Sequence, residues 1–202
     1  MSKVIAAMAV SVDGYVSGND PRDAEGGVDR GLGDAPMLFD WYFDGEVPSA
    51  VFGSGFKLSE PSARIFDELA GRDGAVICGH TTYDHSGHFK SGSPHPTAPL
   101  VVLSRGEVPE LNERQTLAHT IEDAVEAARA LAGGKDVGLM GGGVVTSALA
   151  AGLLDEIVLH QVPILLGGGR PFFGELPEHV RLDLTEVIPA PGVTHLRYEV
   201  IR

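Results

Sequence analysis

Three short apolar runs in this chain each stop at a turn of glycine or hydroxyl residues, and this pattern narrows the choice of fold more than any other. Ala75-Val76-Ile77-Cys78 ends at Gly79-His80-Thr81-Thr82, Pro99-Leu100-Val101-Val102-Leu103 at Ser104-Arg105, and Asp136-Val137-Gly138-Leu139-Met140 at Gly141-Gly142-Gly143. Runs this short and apolar suit strands covered on both faces. The opening run Val4-Ile5-Ala6-Ala7-Met8-Ala9-Val10 has the same character and leads into Ser11-Val12-Asp13-Gly14, as a central strand does. Helical signals lie between the runs. Ser59-Glu60-Pro61-Ser62 opens a helix with Pro in its first turn, continuing through Leu69 to Gly71. Thr120-Ile121-Glu122-Asp123 caps an alanine-rich helix that stops at Gly133-Gly134, and a further helix runs from about Val144 to Leu149. Strand, helix, strand, helix implies a parallel sheet. Asp155 to Pro163 reads as another strand. In the tail, Thr194, Leu196, Tyr198 and Val200 alternate with His195, Arg197 and Glu199, and the turn Ala190-Pro191-Gly192 folds this strand back on Leu182 to Ile188. The expected fold is α/β: one domain over residues 1–202, with a twisted, mostly parallel sheet, flanking helices and a C-terminal antiparallel hairpin.

Composition removes several classes of function. Of 202 residues, 28 are Asp or Glu and 15 are Lys or Arg, a formal charge of −13, so the surface repels a phosphate backbone and nucleic acid is not an expected partner. No apolar run approaches a membrane span and the N-terminus lacks a signal-peptide layout, so the expected location is the cytoplasm. Cys78, the only cysteine, rules out a disulfide framework, and its apolar neighbours mark it as a small core residue. Asp13 to Glu46 is rich in acids and glycines and reads as a long surface excursion, although Ala35 to Phe43 is too apolar and aromatic to lie free in water.

The strand-ending turns carry the chemistry. Contiguous glycines at Gly141, Gly142 and Gly143, between Met140 and the helical Val144-Val145, let a phosphate reach backbone amides at a helix start; they equally suit a plain tight turn. The spaced dinucleotide fingerprint is absent, since these glycines are adjacent and late in the chain. Gly79, His80, Thr81 and Thr82 add a second set of donors, and Ser104 with Arg105 a third. If the three strands are neighbours, all three turns face one crevice, where one long anionic ligand can span them. His80, His85, His88 and His95 lie close in sequence, but their spacing fits a loop rather than a helix face and no cysteine assists, so no metal site is expected.

With these residues identified, the chain resembles the dihydrofolate-reductase-like fold. Within it, the chain is similar to the reductase domain of bacterial bifunctional riboflavin-biosynthesis deaminase-reductases and their stand-alone relatives. The likeness runs nearly end to end, through Ser11-Val12-Asp13-Gly14, Cys78-Gly79-His80-Thr81-Thr82-Tyr83, Leu103-Ser104-Arg105, Met140-Gly141-Gly142-Gly143, and Pro163-Ile164-Leu165-Leu166-Gly167-Gly168-Gly169-Arg170-Pro171-Phe172-Phe173. It implies an NADPH-dependent reductase acting on a small heterocycle, carbonyl or imine. Gly79, His80, Thr81 and Thr82 would meet the phosphates, Ser104 and Arg105 the adenosine 2′-phosphate, and Gly141 to Val145 the pyrophosphate. Val10, Ser11, Asp13 and Gly14 would border the nicotinamide. His80 stands where the family commonly has Arg, which removes a permanent charge; cofactor affinity is then expected to fall as pH rises through the titration of that histidine.

On the substrate side, Asp40-Trp41-Tyr42-Phe43 is similar to the acid-plus-aromatic helix start with which dihydrofolate reductases grip a pterin; Trp41 and Phe43 equally serve to anchor the excursion. Asp40 and Asp13 are the candidate acids, and Trp41 and Tyr83 the candidate substrate contacts. In the deaminase-reductase relatives the substrate is a ribosylaminopyrimidine phosphate, for which Arg170 is a further basic contact. The zinc motif of the deaminase half is absent. A non-catalytic nucleotide- or pterin-binding protein of the same fold is the alternative. The family often dimerises, and Ile157-Val158-Leu159 with Pro163 to Leu166 is the expected shared surface of a homodimer; the same residues equally suit an ordinary core strand.

Overall fold

The computed structural model describes residues 2–19, 31–108 and 111–201. The parts of the acidic excursion at 20–30 lie outside the described residues. The main sheet has eight strands. In chain order they are β1 (Val4–Ser11), β5 (Asp73–Gly79), β6 (Leu100–Leu103), β7 (Gln115–Ala118), β8 (Asp136–Met140), β9 (Glu156–Val162), β11 (Arg181–Ala190) and β12 (Val193–Ile201). Their spatial order is β11-β12-β9-β1-β8-β5-β6-β7. Every pairing from β9 to β7 is parallel, and β12 and β11 join antiparallel at the other edge, as the sequence pattern implies.

β1 sits in the middle because its residues are apolar on both sides. Val4, Ala6 and Val10 pack toward helices α3 (Ile121–Leu131) and α4 (Gly142–Ala150), while Ile5 packs with Ile65 and Leu69 of α1 (Glu60–Arg72) on the opposite face. Ala9 joins the layer around Trp41. The Thr120 side chain accepts from the Asp123 amide at 3.1 Å and caps α3, a contact worth about 1 kcal/mol. Cys78 is fully buried, and burial, with Asp84 nearby, pushes its thiol up to about 12, so it stays an uncharged core residue.

Three elements differ from the sequence expectations. The histidine-rich stretch after β5 does not stay a loop: His80–His85 forms a short helix, α2, with Gly79, the last residue of β5, as its extended N-cap. Asp84 there faces His80 Nε2 at 3.3 Å and His88 Nε2 at 3.5 Å, one helical turn away on each side. The excursion contributes a short strand β2 (Tyr15–Ser17), paired with β10 (Arg170–Pro171), and a 3-10 turn over Pro36–Tyr42. The hairpin of β3 (Val47–Ser49) and β4 (Gly53–Leu58) follows. Finally, the expected shared surface is split: Pro163 and Leu165 are exposed, but Ile157 and Val158 are not. Ile157-Val158-Leu159 lies in β9 between β1 and β12, with Ile157 and Val158 at 0% exposure.

At the end of the sheet where the parallel strands begin, charged residues knit the strands together. Glu156, nearly buried, accepts from both terminal nitrogens of Arg72 at 3.0 Å and from Arg197 at 2.9 Å, with Lys3 at 3.3 Å. Arg72 Nε also donates to Asp136 at 2.8 Å, and Arg197 to Glu68 at 2.8 Å. Burial pushes the Glu156 carboxyl up, but the hydrogen bonds and charges of Arg72, with the charges of Arg197 and Lys3, outweigh it and hold the group below its ordinary value.

Candidate active site

Three turns leave the carboxyl ends of the neighbouring strands β8, β5 and β6 and converge on a cleft of about 1300 Å³. Pockets for one small ligand typically span roughly 300–1,000 Å³, so this cleft has room for more than one such ligand. The glycines explain how the walls come together. At Gly141 (φ +102°) a Cβ would meet Thr82 Oγ1 at 2.7 Å, which lets the turn after β8 press against α2. At Gly142 a Cβ would meet the carbonyl oxygens of Pro171 and Phe172 at 2.7 Å, so the first turn of α4 abuts the β10 ribbon backbone to backbone. A Cβ at Gly143 would face open space.

Toward β7 the cleft is bounded by Ser104, Arg105, His119 and Ile121. Ser104 is buried; its hydroxyl accepts from the Gly106 amide at 3.2 Å, and its carbonyl lies 2.8 Å from His119 Nδ1. Arg105 is exposed at the rim. Toward β1 the wall changes character, to Met8, Val16, Leu32, Phe39 and Pro171, with Arg170 beside them. Arg170 Nη1 donates to His85 Nδ1 at 3.3 Å.

The structure thus brings together Gly79, His80, Thr81, Thr82, Ser104, Arg105, Met140, Gly141, Gly142, Gly143 and Val144 around one space. The remaining candidates do not line it. Val10 and Val145 are core residues, and Tyr83 is fully buried with its hydroxyl donating to Gln115 Oε1 at 3.0 Å. Gly14 (φ +86°) makes the turn after β1, and its carbonyl accepts from the Phe172 amide at 2.8 Å. Ser11 is buried beside it, donating to Asp13 at 2.6 Å. Asp13 also accepts from the amides of Gly167 at 2.7 Å and Leu166 at 3.1 Å. The Ser11 hydroxyl first, then the Gly167 amide, hold its carboxyl down to about 2. Asp13 is therefore a carboxylate clamp between two loops, with no proton to give.

Asp40 is exposed on the 3-10 turn, outside the described lining. Trp41, 3% exposed, stacks on Tyr42 and lies 4.9 Å and 5.2 Å, ring to ring, from His160 and His195. These two histidines share a hydrogen bond of 2.8 Å between their Nδ1 atoms, and His195 Nε2 meets Ser62 Oγ at 3.0 Å. Burial above all holds their protonated forms off, at about 3 for His160 and about 4 for His195, with the charges of His195 and Arg197 adding to the effect on His160. Phe39, His85, His119 and Leu32 are lining residues that the sequence analysis missed. None of them carried a local sign in the sequence; His119 follows β7, a strand the sequence pattern did not mark.

The model of the RibD C-terminal domain matches residues 2–196. The chain belongs to that family. RibD C-terminal domains are the reductase part of the riboflavin-biosynthesis deaminase-reductase, and the fold and its cleft agree with that membership. Among solved structures, a protein of Shewanella sp. PV-4 assigned to riboflavin biosynthesis is 26% identical, covering 99% of each chain with a TM-score of 0.69. A pyrimidine reductase-like protein from Corynebacterium diphtheriae shares the fold at 17% identity, covering 100% of this chain and 92% of that one with a TM-score of 0.60. RibD of Acinetobacter baumannii does so at 20% identity and a TM-score of 0.57; the chain spans 58% of its length. No curated protein sequence matches the chain. Among the described residues no three potential ligands gather in a metal-binding cluster, and no helix is long and apolar enough to cross a membrane.

Proposed function

We propose that this RibD-family domain is an NADPH-dependent oxidoreductase that delivers a hydride to a carbonyl or imine carbon of a small substrate. The observation that carries the reading is the convergence of the β8, β5 and β6 turns on a cleft with space for two ligands. The residues present fit the cofactor. The backbone at Gly141, Gly142 and Gly143 approaches without side chains, and the start of α4 presents unpaired amides to a pyrophosphate. Thr81 and Thr82 offer hydroxyls, and Arg105 at the rim offers a planar, permanent cation for a 2′-phosphate. NADPH, when bound, supplies the hydride. The chain's own work is to hold and orient, since neither Asp13 nor Asp40 lines the cleft.

A homodimer through the free sheet edge accompanies this reading. Leu182, Leu184 and Val187 of β11 are 39%, 50% and 51% exposed, and their register sets them beside Val200, Tyr198 and Leu196. A second copy is the partner that would cover an edge of this kind. Sedimentation of the wild type and of Leu184→Lys tests it: a dimer that becomes a monomer supports the reading, and a wild-type monomer overturns it.

Calorimetry with NADPH and NADH is the test of the cofactor assignment, since Trp41 lies away from the cleft lining and is a poor optical reporter. The expected result is NADPH at least about tenfold tighter than NADH, with Arg105→Gln abolishing the difference. Absence of binding by either nucleotide overturns the reading. Binding without turnover of any carbonyl or imine favours the non-catalytic, nucleotide-binding alternative.

A further inference from the structure

The end of the cleft at β6 and β7 carries one ring nitrogen whose role the fold fixes. His119 sits between β7 and α3 and lines the cleft beside Leu103, Ser104, Arg105 and Ile121. Its backbone is held on both sides. Before it, the Ala118 carbonyl accepts from the Ser104 amide at 3.0 Å, and after it Thr120 caps α3. The ring is tied down as well, with Nδ1 lying 2.8 Å from the Ser104 carbonyl oxygen. A carbonyl oxygen only accepts, so Nδ1 carries a proton and donates it, and in the neutral imidazole Nε2 keeps a lone pair. Among the described residues, nothing bonds to that second nitrogen.

Such a lone pair sorts ligands. A phosphate oxygen is itself an acceptor and gains nothing from it, whereas an amine hydrogen does. Arg105, next to Ser104, is the planar cation suited to phosphate. On NADPH the 2′-phosphate and the adenine are borne by adjacent carbons of one ribose, so with the phosphate on Arg105 the base lies at this same end. Leu103 and Ile121, both half-buried, give that end its apolar surface.

We infer that His119 reads the base: its Nε2 accepts a hydrogen bond from the exocyclic amine of adenine, so the site selects an adenine dinucleotide over one with another purine. This rests on the NADPH reading above and deepens it. A hypoxanthine base carries a carbonyl oxygen in place of the amine. Two acceptors then face each other with no proton between them, and binding weakens.

The test is calorimetry at about pH 8, where imidazole is neutral, with NADPH, its hypoxanthine analogue and NADH. The wild type is expected to bind NADPH at least about fivefold tighter than the hypoxanthine analogue. His119→Phe keeps a ring and removes the acceptor, and should bring the two within about twofold by weakening NADPH. His119→Gln, whose amide can turn either its oxygen or its nitrogen to the base, should close the gap from the other side, by strengthening the analogue. In both variants the ratio of NADPH to NADH affinity is expected within about twofold of the wild type, because Arg105 is intact. Equal affinity of the wild type for NADPH and the analogue overturns the inference without recourse to a variant. A base preference that survives both substitutions overturns it too. So does a His119→Phe protein that loses the NADPH-to-NADH ratio instead, since the ring would then serve the phosphate. NADPH binding without base preference sinks this inference alone, whereas no binding of any of the three nucleotides sinks the cofactor reading and this one with it.

Discussion

The two edges of the central sheet are built on opposite principles. Where the parallel strands begin, Glu156, Arg72, Arg197, Asp136 and Lys3 satisfy one another in a nearly closed network. Where they end, the chain shows glycines, hydroxyls and amides to a large cleft. The first edge spends its polar groups on holding strands together, and the second keeps them available for a ligand. The comparison teaches that stability and binding are separable in this domain, and four experiments can break or sharpen that claim.

The largest effect is expected from Glu156→Gln, which leaves two guanidiniums facing each other around a nearly buried neutral group. A loss of about 3–5 kcal/mol follows, read as a Tm drop of roughly 6–20 °C, with nucleotide affinity of the folded protein unchanged. Loss of affinity in parallel would show the edges to be coupled.

Acid is the next probe. His160 and His195 have folded values of about 3 and about 4, below the ordinary histidine value, so the unfolded chain binds more protons between these values and about pH 6.5. Their contribution is fully present above that range and is lost as pH falls through it, by about 2 kcal/mol or more at pH 4.5. Glu156, held below its ordinary value, contributes stability that is lost only at lower pH still. Asp73, pushed up to about 7 by burial, acts in the opposite sense, so the comparison must be with a variant. Denaturant titrations from pH 7 to 4.5 should show a shallower slope for His160→Asn/His195→Gln, and an unchanged slope would refute the assignment.

Gly141→Ala should cost about 1–3 kcal/mol, because φ +102° strains any side chain and the new Cβ meets Thr82. Its clearer signature is a loss of NADPH affinity of about tenfold or more in calorimetry. The smallest stability change belongs to Arg105→Gln, within about 0.5 kcal/mol, since the residue is exposed. Yet this variant should shift the NADPH-to-NADH ratio more than any other.

The sequence made one edge readable and the other nearly invisible. Turns such as Gly141-Gly142-Gly143 announce themselves because each follows its own strand locally, and neighbouring parallel strands then bring them together. The network around Glu156 joins residues 84 and 41 positions apart, and no local pattern marks such pairs. His160 and His195 face each other across β9 and β12 for the same reason: each reads as an ordinary strand residue until the register is known. β7 was missed because Gln115-Thr116-Leu117-Ala118 is short and half polar at the sheet's edge, and α2 because Thr81 and Thr82 favour turns in isolation. The excursion's aromatic segment was rightly placed inside, but which of its rings faces the cleft, Phe39 rather than Trp41, depended on the 3-10 turn.

The contact at Gly142 bears on how such a domain diversifies. With the first turn of α4 resting directly on the carbonyls of Pro171 and Phe172, the glycine turn after β8 and the β10 wall of the cleft share a partition one backbone thick. A change in the backbone path of Pro171 and Phe172 would shift the start of α4, whereas side-chain changes at Phe39, on the other bank, leave that contact untouched; Leu32, at 5% exposure, must stay apolar. Libraries aimed at new substrates should therefore leave the ribbon intact and mutate the bank opposite.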